Sequence, residues 1–282
     1  MPWPIIQVEF FSEAKGFLFM SGYYYLAKMK LLVFLSYRFE AFTSLGTNLI
    51  VAVANIYLWK AAYKGIDSVA GVKEDQMLTY TIMSTLLASF FSVNIEQALQ
   101  ERISQGDIAI DFFRPINIFL KYLAEDVGIA VSSLLSKLLP LFVIMTLLVQ
   151  PPVPDSPIAF VLFLLSAVFS FLILWLISAL ISLLCFWVIQ LGEIKTIKDG
   201  IILLLSGKII PLWLFPKKIQ TIISFLPFPY VYQTPLSIYI GQVQPEEAAA
   251  SMLIQFVWIV LFTALLCFGW SRARKRVLVQ GG

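Results

Sequence analysis

From Ile158 to Gly192 the chain carries no charged residue. Few structures can hold such a run. About 20 apolar residues cross a bilayer as one helix, and lipid requires every backbone group to be satisfied inside the segment. Two spans would need about 40 residues and a turn. The stretch to Gln190 is shorter and holds no glycine or proline, so one long, tilted helix is expected. The chain is 60% hydrophobic and 13% charged, where soluble domains are nearer half and a quarter. The fold class is therefore all-α integral membrane.

Five further apolar runs complete a six-helix transmembrane domain over 41–276: Phe42–Trp59, Met77–Val93, Val127–Val149, Gly200–Phe215 and Ala249–Trp270. A Pro-rich turn, Gln150 to Pro157, joins spans three and four as a hairpin. Before the first span, Tyr23 to Glu40 places Leu26, Met29, Val33 and Tyr37 at helical spacing beside Lys28 and Lys30. Such a pattern suits an amphipathic helix in the membrane surface; a long first span with a wet start is the other reading. Residues 1–40 thus form an N-terminal segment with an interfacial helix, and 277–282 a short tail. The start, Met1-Pro-Trp-Pro, lacks the basic residues and apolar core of a cleaved signal, so the first span is expected to direct insertion.

Charge placement sets orientation. With the N-terminus inside, all the arginines fall on the cytoplasmic side, as do Lys121, Lys195 and Lys198; Lys60, Lys64, Lys73, Lys217 and Lys218 fall outside. Both termini are then cytoplasmic, which six spans satisfy.

The absences also constrain function. There is no histidine, and Cys185 and Cys267 sit in apolar runs, so neither His-dependent catalysis nor a metal site is expected. A net charge of +3 gives no basic field for nucleic acid. The phosphate-binding Gly-x-x-x-x-Gly-Lys-Ser/Thr pattern is missing: Gly207-Lys208 is followed by Ile209, and position 202 is isoleucine. If the protein uses ATP, a partner binds it.

Two stretches carry the functional signal. The first, within 97–122, includes Glu101, Arg102, Gly106, Asp107, Asp111, Phe112, Arg114 and Pro115. Gly106-Asp107 opens a turn, Asp107 is placed to cap a short helix, and Arg114-Pro115 closes it. Ile108, Ile110, Phe112 and Phe113 are too apolar for a free loop. They either dock on another protein or sink into head groups. The second, 216–240, is cut by Pro216, Pro227, Pro229 and Pro235 into pieces too short to cross the membrane. Phe225, Phe228 and Tyr230 need a dry surface there, and short re-entrant or interfacial helices are expected.

The first stretch resembles the Gly-(acidic)-x-x-x-x-(Leu/Phe)-x-Arg-Pro segment of type-2 ABC exporter permeases, in the daunorubicin and multidrug subfamily. Leu205 to Pro216, Leu226 to Tyr230 and Pro235 to Gly241 are similar to that subfamily's Ser-Gly-x-x-x-Pro-Leu, Phe-Pro and Leu-Pro-Phe region. The resemblance covers most of 23–276. It implies an N-terminal connecting helix, a cytoplasmic coupling helix at Gly106–Pro115, and short extracellular helices after span five that form a lid. It also implies two permease chains, identical or homologous, above two ABC ATPase subunits that carry ATP and Mg. Export of an amphipathic, lipid-like or drug-like cargo across a bacterial inner membrane follows from the resemblance alone. A non-transporting scaffold and an integral membrane lipid-modifying enzyme are the competing readings. Two lysines fall within spans. Lys137 follows Ser132, Ser133 and Ser136; Lys208 lies toward the outer end of span five. Lys137 either meets an anionic substrate head group or has a structural partner, a serine hydroxyl, a carbonyl or the second permease chain; Lys208 either lines the substrate path or snorkels outward.

Overall fold

The computed structural model of the protein describes residues 22–33, 38–113, 117–149, 153–188 and 190–276. Helix α1 (22–33) is followed by α2 (Arg38–Ala62), which ends at a turn where Gly65 takes φ +82°. A two-strand antiparallel hairpin, Ser68–Val69 with Val72–Lys73, turns at Ala70-Gly71. Helix α3 (Glu74–Phe90) begins with two acids in its first turn, where the helix dipole favours them. It breaks at 91–94 and resumes as α4 (Ile95–Ser104). A turn through Gly106, φ +77°, leads to α5 (Ile108–Phe113).

Helix α6 (Ile118–Ser133) is capped by Asn117, whose Oδ1 accepts from the amides of Phe119 and Leu120. It continues through one π turn (Leu134–Leu138) into α7 (Leu139–Leu148). Pro140 has no N–H to give the carbonyl one turn back, so the ladder must re-register there. Ser156 caps α8 (Pro157–Ser182), with proline at the first helical position. Then come α9 (Glu193–Leu205), α10 (Lys217–Ser224), α11 (Gln233–Tyr239) and α12 (Pro245–Ala273).

Five helices among the described residues are long and apolar enough to cross a membrane: Phe42–Ala62, Glu74–Ser104, Ile118–Leu148, Pro157–Phe186 and Pro245–Ala273. The run expected as the fifth span, 200–215, is not one of them. Its helix, α9, starts earlier and stops after 13 residues, about 20 Å of rise. Gly207 takes φ +81° just beyond it, and Pro211 follows. The chain at this point is a short helix followed by irregular backbone. The third span also begins earlier than expected, at Ile118, which brings Glu125 and Asp126 into a helix and buries both.

Helix α8 is the hub. From Ile173 to Ala179 every side chain is buried, because α4, α11 and α12 all pack against it. Helix α2 is the opposite case, with Phe39, Phe42, Ile50 and Tyr57 exposed. Helix α1 lies against α6 at Gly128. A Cβ there would collide with the Ala27 carbonyl, so only glycine permits the approach. Lys30 pairs with Glu125 at 3.5 Å across the same contact.

The bundle has two ends. The first gathers the hairpin, the start of α3, residues 153–156 and the chain around Ile240; Asp155 donates its amide to the Tyr239 carbonyl (3.0 Å), and Gln76 Nε2 donates to that of Ile240 (3.0 Å). The second gathers α4, α5, the start of α6 and residues 183–198, tied where the Leu191 amide donates to Gln100 Oε1 (3.0 Å).

Candidate functional site

At the second end, α4, the Gly106 turn and α5 form a bracket braced by Arg102. Its Nε donates to Asp111 Oδ2 (2.9 Å) and its Nη1 to Asp107 Oδ2 (2.9 Å). Lys121 of α6 reaches the other Asp111 oxygen at 3.5 Å. Asp111 is buried, so its two cationic neighbours offset a desolvation cost that an isolated carboxylate could not bear. The arrangement differs from the expected cap. The Asp107 carboxylate turns back to Arg102, and it is the Asp107 carbonyl that receives the Ile110 amide. Bracing fixes which face of α5 points out: Ile108 is 5% exposed and Ile110 52%. Glu101 is exposed and accepts from Gln97 Nε2. Arg114 and Pro115, and the side chain of Phe112, lie outside the described residues.

Behind the bracket are two buried acids that sequence reading left in a generic polar stretch. Glu96, 3% exposed, receives Lys198 Nζ at 2.6 Å, and the same ammonium donates to Ser178 Oγ of α8 at 3.1 Å. Asp126 accepts from the Asn94 amide and from Trp175 Nε1, both at 3.0 Å. The acceptor for Asn94 matters because α3 breaks there and leaves amides without helical partners. Only the spacing of Glu96 from a lysine a hundred residues later decides that pair, and no local pattern reveals it. A cleft of about 320 Å3 opens beside α4, between Glu96, Gln100 and Glu101 on one wall and Leu191, Gly192 and Lys195 on the other.

Toward the first end, irregular backbone lies at membrane depth and is satisfied by side chains. Tyr80 Oη donates to the Gly207 carbonyl (2.6 Å), and Ser84 Oγ to that of Lys208 (2.6 Å). Gln233 donates its amide to the Ser206 carbonyl, and its Oε1 accepts from the Leu212 amide. A second cluster holds the 3-10 turn Phe228–Tyr230. Gln255 of α12, fully buried, donates to the carbonyls of Ser166 (3.2 Å) and Tyr230 (2.9 Å) and to Ser170 Oγ (3.0 Å). Ser166 Oγ donates back to Gln255 Oε1 (3.0 Å). Gln255 was absent from the sequence candidates, although a glutamine in the middle of an apolar span was signal enough.

Residues 216–240 form the expected short pieces. Pro216 precedes α10, whose Ile219 and Ile222 stand exposed with Phe225, 77% exposed, just after it. Pro227, Pro229 and Tyr230 are buried, and Tyr230 Oη donates to the Ser224 carbonyl. Phe228 is half-buried. Gln220 and Gln233, polar residues that invite a water-facing reading, are both engaged: Gln220 Nε2 donates to the carbonyls of Trp213 and Phe215.

The two intramembrane lysines are far apart in role. Lys137 lies in the π turn of the α6–α7 span, beside a seam of small polar contacts in which Asn48 donates to Ser89 and Ser92 meets Ser133. Lys208 Nζ sits 5.7 Å above the Tyr232 ring, so the side chain turns inward and does not snorkel out. Among the described residues no group of three metal-ligating side chains converges.

Comparison with curated proteins and with solved structures gives no match. A family model does match, over residues 49–281, and its description is ABC-2 family transporter protein. The match takes in all five long helices apart from the start of α2, the braced bracket and the irregular stretch at Gly207. The chain therefore belongs to the ABC-2 family and is a multi-pass membrane permease of an ABC transporter.

Proposed function

We propose that the chain is the path-forming subunit of an ATP-driven exporter, and that the α4–α5 bracket is where it receives force from the ATPase. The observation that carries this reading is the brace itself. Arg102, Asp107, Asp111 and Lys121 lock a six-residue helix at one end of the bundle and leave Ile110 facing away from the protein. An apolar residue held outward on a rigid charged frame suits a groove in another protein. Two such permease chains, identical or homologous, would stand above two ATPase subunits that bind ATP and Mg.

The second end is the cytoplasmic one in this reading. It carries Arg102, Lys121, Lys195, Lys198, Arg272, Arg274 and Lys275, against Lys60, Lys64, Lys73, Lys217 and Lys218 at the first. In this reading the protein sits in a bacterial cytoplasmic membrane with both termini inside, and 216–240 is an external lid. The apolar spans suit an amphipathic or lipid-like cargo.

The test is capture of the ATPase. Ile110→Asp changes a residue exposed in the isolated chain, so membrane insertion and yield should match wild type. Co-purification of the ATPase and transport should both fall at least about tenfold, the loss expected for a central interface contact. Wild-type capture by this variant would refute the docking assignment. A chain that never brings down an ATPase would favour a scaffold.

A further inference from the structure

We infer that Lys208 is the receiving point for the anionic head of an amphiphile, a phosphate or carboxylate carried on an apolar tail. The inference rests on the reading of this chain as a transport path and names the charge class of what enters it.

The Lys208 carbonyl is held by Ser84, ten residues into α3 from Glu74, so this backbone lies about 15 Å below the first end. From there the side chain points to Tyr232. Its ammonium lies over Tyr232, and the Tyr232 ring packs edge-on to Phe91 at 5.3 Å. Phe91 is seventeen residues from Glu74, about 25 Å down. A lysine ammonium near the middle of a hydrocarbon layer about 30 Å thick is costly unless something offsets its charge.

Among the described residues Lys208 makes no ion pair, and its one close partner is the aromatic face. Asp199, whose charge acts on Lys208, is itself bound to Lys198 at 3.0 Å. A cation–π contact contributes on the order of 1–2 kcal/mol when desolvated and leaves the ammonium's hydrogen-bond donors free. Three carbonyls of the irregular stretch already have partners: Ser206 has Gln233, Gly207 has Tyr80 and Lys208 has Ser84.

Helix α9 exposes Ile197, Ile201 and Leu204 on one face, and Ile209 and Ile210 continue the apolar exposure past the lysine. An apolar stripe that begins at the second end and runs along the chain to the segment carrying the lysine fits a molecule with a tail and an anionic head. A purely apolar cargo gains nothing from the lysine, and a cationic one is repelled.

The experiment uses the full chain purified with its ATPase in mild detergent. The complex is equilibrated with mixed micelles of equal phosphatidylglycerol and phosphatidylcholine, repurified, and its retained lipid counted by native mass spectrometry. Wild type should retain phosphatidylglycerol in excess. Lys208→Gln should reduce that excess about tenfold, the scale of one charge-assisted contact; Lys208→Arg should keep it. ATPase capture should be the same in all three, so a failure here leaves the docking assignment untouched. No excess in wild type would overturn the inference without reference to any variant. An equal excess in wild type and Lys208→Gln would overturn it too. Release of the lipid by inorganic phosphate would show a site for a free anion and would overturn the amphiphile.

Discussion

Gln255→Leu isolates what holds the irregular first-end segment to the bundle. Gln255 makes three donor contacts and receives one, all within 3.2 Å and none open to water or lipid. Hydrogen bonds between membrane helices average about 0.6 kcal/mol, with a maximum near 1.7, so four independent bonds would sum to roughly 2.5 kcal/mol. They are not independent. Ser170 Oγ also lies 2.8 Å from the Ser166 carbonyl and 2.9 Å from that of Tyr230. After the substitution its single proton can still satisfy Tyr230, while Ser166 O keeps its helical partner. The group left worst off is Ser166 Oγ. Leucine is close to glutamine in volume, so no large cavity term adds. The expected destabilisation is about 1–2 kcal/mol, read as a lower thermal midpoint of the purified permease. The assay that locates the effect is a double-mutant cycle with Ser170→Ala, which should show a coupling of about 0.5–1.5 kcal/mol. Leu261→Ala, on the exposed face of α12, supplies the background for a neutral change in the same helix. If Gln255→Leu is as stable as wild type and uncoupled from Ser170, the cluster does not hold the segment.

Lys198→Met strands the Glu96 carboxylate and should cost about 3–5 kcal/mol, and Glu96→Leu in the same chain should recover most of it; stability measured for the single and double variants checks this. Gly128→Leu should expel α1 from α6, seen as new protease or thiol access at positions 26–30 with the rest of the bundle intact. Cysteines at Ser68 and at Gln105, introduced after replacing Cys185 and Cys267, should label from opposite sides of the membrane, and labelling of Gln105→Cys from outside would invert the proposed topology. A cysteine at Ile222 of α10 should change its outward accessibility when the partner ATPase is trapped with ATP, and equal labelling in both states would argue against a moving lid.

Helices α2, α8 and α12 were legible from composition because each holds an apolar run long enough to cross lipid, bounded at its start by a charge or proline. The bracket was legible over 101–113 as a turn and a short helix, since Gly106 marks a left-handed backbone position. Its internal wiring was not. Arg102 could have paired with Glu101, Asp107 or Asp111 on sequence alone, and only the folded turn brings the last two to one guanidinium. Glu96 with Lys198 and Asp126 with Trp175 join residues far apart in the chain, for which helical spacing carries no information. The fifth span failed for a different reason. Hydropathy registers that 200–215 is apolar, but not that Gly207 would leave the helix and that Tyr80, Ser84 and Gln233 would satisfy the exposed carbonyls and amides.

That failure bears on function. Irregular backbone inside a bilayer persists only where protein or a wet cavity covers it, and here the cover is specific. Three polar side chains, two from α3 and one from α11, hold the stretch around Gly207, and Gln255 holds the next turn at Tyr230. A continuous helix would have satisfied the same groups with no side chains at all. What the broken form adds is position. It stops α9 partway across, turns Lys208 back over Tyr232, and leaves α10 and α11 as short pieces at the first end. Restoring helix across the break therefore makes a sharp test. Gly207→Ala is strained twice over, by a φ of +81° and by a Cβ that would meet Gln233 Oε1 at 2.5 Å and Tyr80 Oη at 2.9 Å. The backbone term alone costs about 1–2 kcal/mol, and displacing Gln233 adds the loss of its bonds to Ser237 and Leu212. The variant should insert and capture its ATPase, because the bracket lies at the other end. It should lose both transport and any lipid preference that depends on Lys208. Transport at wild-type rate in Gly207→Ala would mean that the break is tolerated and not used.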